Sequence, residues 1–176
     1  APRHKGSLHH LLYVGKIGQF VLRGSRFFNG FRGHLVKSRA RESHVLYNML
    51  VDGAGGEASY ELEFPNGGLV YAIGNTIGQS TTSDNAVLLA YGAEGPHWPD
   101  NALYAAHNTL INDAPDGVFV KVFSGKMGDP EVWLLNNLTV GYGDLFKPMQ
   151  GRFDGNRSVM RGDLAEVGGI PLRLTN

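Results

Sequence analysis

The chain has 176 residues, 42% of them hydrophobic, which is enough for one sizeable core and too few for two ordinary domains. Its 16 basic residues equal its 16 acidic ones, so no overall field draws it toward nucleic acid or an anionic membrane, and a charged partner must be met by a local patch. The absence of cysteine excludes disulfide frameworks, thiolate metal sites and cysteine nucleophiles, and no apolar run reaches the ~18 residues of a membrane span.

Along the chain, Ala1-Pro2-Arg3-His4 is neither an initiator methionine nor a signal peptide, so a processed chain or a piece of a longer one is expected. His9 and His10 precede the short apolar run Leu11-Leu12-Tyr13-Val14 and read as solvated histidines near a chain end. From there on, short strand-like runs alternate with glycine-rich turns. One series is Leu35-Val36-Lys37-Ser38, Ser59 to Phe64, Ala86 to Tyr91 and Val118 to Phe123; taking Val36, Leu62, Leu89 and Val120 as equivalent gives steps of 26, 27 and 31 residues. Between them runs a second series, an asparagine followed by apolar residues: Asn48, Asn75, Asn108 and Asn137, spaced 27, 33 and 29 apart, with weaker copies around Asn29 and Asn156. Two independent series with one period are the mark of a solenoid. The runs alternate with period two, which excludes an α-solenoid. An asparagine at a sharp bend can set its amide against the next coil, so stacked copies satisfy one another.

The expected fold is therefore all-β, a right-handed parallel β-helix of about five coils on an asparagine ladder. The four strand runs should lie side by side in one parallel sheet, and the four asparagines should occupy equivalent, buried bends. A single domain spans 1–176: an edge coil at 1–20, main coils at 21–147 and a C-terminal coil or cap at 148–176. Ile170 to Leu174 reads as a strand stopped in mid-pattern. The first 15 residues offer no amphipathic helix to cover a strand edge, so a partner chain, a missing segment or self-association is expected at the N-terminal coil.

Alternation places Tyr60, Leu62 and Phe64 inward and Ser59, Glu61 and Glu63 outward. In that register Lys37, Glu63, Ala90 and Lys121 form one exterior column, and Leu35, Glu61, Leu88 and Phe119 the next. His34, Lys37, Ser38, Arg39, Tyr60, Glu61, Glu63, Asn66, Tyr91, Glu94 and His97 then gather from three successive rungs. A long polar and aromatic face of this kind suits an extended sugar chain.

Gly33-His34-Leu35-Val36-Lys37-Ser38-Arg39-Ala40, Ser59 to Gly68, Gly74-Asn75 and Tyr91-Gly92-Ala93-Glu94-Gly95 resemble the bacterial parallel β-helix repeat proteins of the pectate-lyase-like superfamily, over roughly residues 10 to 145. Val36-Lys37-Ser38 with Asn48 is similar to the lysine-serine motif of the alginate- and chondroitin-type polysaccharide lyases. The resemblance implies a secreted or periplasmic protein whose partner is an acidic polysaccharide, cleaved by β-elimination. Lys37 would match the proton-abstracting lysine. The stretch around Glu61 and Glu63 stands where the assisting arginine would be, and Gly30 and Arg32 stand where calcium-binding carboxylates would be. No metal or other cofactor is expected.

A uronate lyase must neutralise a carboxylate, take the acidified proton and protonate the leaving oxygen. Lys37 as base, Arg39 as neutraliser and His34 or Tyr91 as acid would meet those needs, with Tyr60, Asn66, Tyr91, Glu94 and His97 binding substrate. Glu61 and Glu63, about 6.5 to 7 Å apart on one strand face, would instead suit a glycoside hydrolase. The reading from a different class is a non-catalytic β-helix that binds glycan or serves as a surface module, with Lys37 and Glu63 as a cross-strand ion pair.

Overall fold

The computed structural model describes residues 9–167 and 170–174, with the backbone alone from residue 164 onward. Three six-stranded parallel sheets wind into a β-solenoid of about five turns. The first sheet holds Leu12–Val14, Val36–Ser38, Leu62–Phe64, Val87–Tyr91, Val118–Val122 and Asp144–Leu145 in that order. The second holds Gln19–Arg23, Glu42–Leu46, Leu69–Ile73, Ala102–Ala106, Glu131–Leu135 and Gly151–Asp154, and the third Arg26–Phe27, Met49–Val51, Thr76–Gln79, Thr109–Asn112, Leu138–Gly141 and Arg157–Val159. Val36 pairs with Leu62, Leu62 with Leu89 and Leu89 with Val120, which is the register the sequence repeats predict. The core is a stack of inward side chains, among them Val36, Leu62, Leu89 and Val120 from the first sheet, Val45, Ala72, Ala105 and Leu134 from the second, and Leu50, Ile77 and Leu110 from the third.

The ladder lies at the bend between the second and third sheets. Asn75 Oδ1 accepts the backbone N–H of Asn48 at 2.9 Å and its side-chain amide at 3.0 Å, while its own amide donates to Val45 carbonyl at 2.8 Å. Asn108, Asn137 and Asn156 repeat the pattern. Asn48, Asn75, Asn108 and Asn137 are all buried, as expected. Asn156 completes the ladder, but Asn29 does not belong to it: the position before Asn48 is Ser25, whose N–H donates to Asn48 Oδ1.

The bend needs a left-handed residue just before each rung, and Gly24, Tyr47, Gly74, His107, Asn136 and Gly155 all have φ between 53° and 68°. At Gly74 the need is double, because a Cβ would also come 2.5 Å from the Tyr47 ring.

Alternation fails at one column. Leu35, Glu61, Leu88 and Phe119, expected outside, are fully buried or nearly so. The turns beside the strands close over this column, so that a Cβ at Gly30 would come 3.0 Å from Leu35 and one at Gly143 3.1 Å from Phe119. Tyr60, expected inside, is half-buried and lies against His34.

Leu164–Val167 pairs antiparallel with Ile170–Leu174, so the last run closes a hairpin instead of adding to a parallel sheet. Residues 1–8, on which the expected N-terminal edge partly rests, lie outside the described residues. Among the described residues no helix is long and apolar enough to cross a membrane.

Candidate functional site on the first sheet

Consecutive rungs set Lys37 beside Glu63, and the turns that follow bring Arg39, Asn66 and Glu94 next to them. His34 enters through a small ladder of its own. His10 Nδ1 accepts the His34 N–H at 3.0 Å, and His34 Nδ1 accepts the Tyr60 N–H at 3.1 Å. The rings of His10, His34 and Tyr60 follow one another at 4.5 and 5.0 Å. With Nδ1 accepting, Nε2 carries the ring proton of His34 and lies 3.0 Å from Glu63 Oε2. His10 is lowered to about 4, first by burial and then by His34 and Lys37.

Glu63 is the centre of the cluster. It is 3% exposed, and its Oε2 lies 2.8 Å from Lys37 Nζ as well as 3.0 Å from His34. Burial alone would raise its carboxyl, but His34 and Lys37 outweigh burial and hold it below the ordinary glutamate range. Lys37, 8% exposed, also reaches Glu94 Oε1 at 3.4 Å. Arg39 grips Glu94 with both terminal nitrogens, at 2.6 and 2.7 Å, and donates to Asn66 Oδ1 and to the Tyr13 hydroxyl at 2.9 Å. The two-pronged Arg39 bond is the main cause that brings Glu94 down to about 2, and the same bond raises the guanidinium further. Two cations thus face two carboxylates within one network.

The predicted residues do not all meet there. His34, Lys37, Arg39, Glu63, Asn66 and Glu94 converge, with Tyr60 against His34 and His97 at the rim, where its backbone N–H donates to Asn66 carbonyl and its ring meets Lys16 at 3.3 Å. Glu61 is elsewhere, in the buried column, and neither of its oxygens meets a hydrogen-bond partner from another of the described residues. Burial, followed by nearby Asp52, pushes its carboxyl well above the ordinary value. It therefore shares no accessible face with Glu63. Tyr91 is also a correction: it is fully buried, pairs in register with Phe64 and donates its hydroxyl to Gly68 carbonyl at 2.8 Å. The signal was present in the sequence, since Tyr91 stands two residues after inward Leu89. Ser38, second in the lysine-serine pair, is likewise interior and bonds Ser43 Oγ at 3.0 Å.

Sequence reasoning missed Tyr13 and Trp98, which complete the rim; Trp98 Nε1 donates to Arg39 carbonyl at 3.2 Å. It also missed an aromatic column on the second sheet. His44, Tyr71 and Tyr104 stack at 4.7 and 5.0 Å, and Trp133 meets Tyr104 edge-on at 5.7 Å. Tyr71 has a ring on either side, so the stack serves chiefly to tie rungs together, at about 0.5–1.5 kcal/mol per pair. The register equivalence that aligned the first sheet would have exposed this column had it been carried one sheet further.

Family models, curated proteins and solved structures were compared with the chain, and none matches.

Proposed function

We propose that this chain is a non-catalytic, secreted β-helix module that holds polysaccharide along the outward face of its first sheet. The observation that carries the reading is the closed charge network: Lys37 and Arg39, the two cations a lyase would spend on substrate, are both bridged to carboxylates of the protein itself. The pectate-lyase-like resemblance supports the carbohydrate context. The rim supports binding, because Tyr13 is 52% exposed beside Arg39, to which Asn66, Glu94 and Trp98 also bond, and His97 follows through Asn66.

β-Elimination has less support. It needs a lysine open to receive a proton and a cation open to a uronate carboxylate, and Glu63 and Glu94 occupy both positions. A two-carboxylate hydrolase has less still, because Glu61 offers no accessible oxygen. With two cations balanced by two carboxylates, the face gives an acidic chain no net attraction.

The test combines turnover with binding. Alginate, polygalacturonate and chondroitin should yield no unsaturated, ultraviolet-absorbing product, while electrophoresis through gels containing neutral polysaccharide should retard the protein. Retardation should weaken in Tyr13→Ala and Trp98→Ala. Unsaturated product that disappears in Lys37→Ala would overturn the reading in favour of a lyase.

A further inference from the structure

A second recess lies on the third sheet. The outward column there runs Val51, Gly78, Ile111, Val140 and Val159, one residue from each successive rung. Ile111, Val140 and Val159 pack into a small apolar cluster of their own. At Gly78 the column lacks a side chain, and there a cleft of about 380 Å³ opens, bounded by the turns at 53–55 and 80–82 and by Asp113 and Arg161. Its volume falls in the range of small-ligand sites.

The cleft has two kinds of wall. Its floor is apolar: Val51, the bare backbone of Gly78 and Ile111. Its sides carry hydroxyls and one ion pair. Ser80 Oγ lies 2.9 Å from Thr82 Oγ1, Thr82 in turn donates to Gly56 carbonyl at 2.7 Å, and Thr81 is exposed beside them. Arg161 donates to both oxygens of Asp113 at 2.8 Å. An apolar floor beside hydroxyls, a carboxylate and a guanidinium matches a pyranose, whose C–H face is apolar and whose edge carries hydroxyls. Charge selects among sugars: Asp52 and Asp113 outnumber Arg161, which is already paired, so a uronate carboxylate gains nothing here.

We infer that the Gly78 notch is a binding subsite for a neutral pyranose residue, separate from the first-sheet face. The inference shares with the proposed function only the class of ligand. The pyranose ring lies on Val51, Gly78 and Ile111, and its hydroxyls reach Ser80, Thr81 and Asp113.

Gly78→Val is the deciding variant. The new Cβ would sit 3.3 Å from Ile111 Cβ, so that Ile111 must give by a few tenths of an ångström, and 3.6 Å from Val51 Cγ1, filling the notch with a residue suited to a strand without replacing any polar group. Titration calorimetry with cellotriose, mannotriose and trigalacturonate on the full chain should show a neutral trisaccharide binding the wild type and binding Gly78→Val at least about tenfold more weakly. Thr81→Ala, an exposed change that leaves the fold intact, should weaken it a few-fold and serves as the readout if Gly78→Val does not fold. Equal binding by wild type and both variants overturns the notch and leaves the first-sheet reading standing. Preference for trigalacturonate overturns the ligand class. Failure of the wild type to bind any of the three, together with no retardation in polysaccharide gels, overturns the notch and the proposed function alike.

Discussion

Glu61 and Glu63 stand two residues apart in one run and end in opposite environments. Glu63 lies between His34 and Lys37, which hold its carboxyl below the ordinary range in spite of burial. Glu61 lies in the column of Leu35, Leu88 and Phe119 with no hydrogen-bond partner from another of the described residues, and burial pushes its carboxyl well above that range. The difference comes from what covers each column. Turn residues lie over Leu35 and Phe119 in the first, whereas in the second Glu63 meets Lys37 and His34 of the neighbouring rung. Alternation states which way a side chain points, and only the rest of the fold states whether water waits there.

Removing Glu63 should have the largest effect. Glu63→Leu leaves Lys37 and His34 together in a nearly dry site without the carboxylate between them, at a cost of about 3–5 kcal/mol. Urea denaturation measures it. A midpoint within error of wild type would mean that the network is surface decoration and that Lys37 is more available than its geometry states. Replacing Lys37 by Met in the same chain should recover much of the loss, because a buried pair exchanged for apolar residues is often neutral.

Glu61→Leu should act in the other direction. An unpartnered buried carboxyl costs about 1–3 kcal/mol in lost hydration, and leucine continues the column of Leu35 and Leu88, so this variant should be more stable than wild type by that amount. Destabilisation would show that Glu61 holds a structural partner, such as a bound water. The pH dependence sharpens the contrast. A raised folded value means that the folded state keeps a proton the unfolded chain releases, so wild type should lose stability relative to Glu61→Leu as pH climbs above the ordinary value of 4.5. The slope is at most about 1.4 kcal/mol per pH unit and ends at the folded pKa. Glu63 has the reverse sign: its contribution is present above 4.5 and is lost as the solution is made more acidic.

Repetition decided what could be read from the sequence. The first-sheet register and the ladder were legible because Val36, Leu62, Leu89 and Val120, and Asn48, Asn75, Asn108 and Asn137, each do one job several times. A period averages over loop irregularities that would hide any one copy. The Lys37 to Glu63 contact was legible for the same reason, as a register consequence. The histidine ladder was not, because His10, His34 and Tyr60 are three positions of which two share a residue type and none reads as a bend signal. Nor was the Gly78 notch, since an absent side chain gains meaning only beside Val51 and Ile111. Glu61 failed for a third reason: its column, with Leu35, Leu88 and Phe119, joins the core instead of facing water, which alternation along one run does not state.

The smallest expected effect belongs to Glu94, the exposed end of the same network. Its carboxyl is down to about 2, chiefly through the Arg39 bond, yet its side chain is 45% exposed, so solvent screens most of what that shift would imply in a dry site. Glu94→Gln should cost less than about 1 kcal/mol near neutral pH. The sign follows from a depressed value: the contribution is fully present above 4.5 and is lost as pH falls toward 2, so wild type and variant should converge across that window. Added salt should shrink the difference as well, because an exposed pair lies within reach of counter-ions, whereas the Glu63 cost should barely respond. A Glu94 effect as large and as salt-resistant as that of Glu63 would show that the two carboxylates form one buried unit. The face would then have no solvated rim on which a sugar chain could settle.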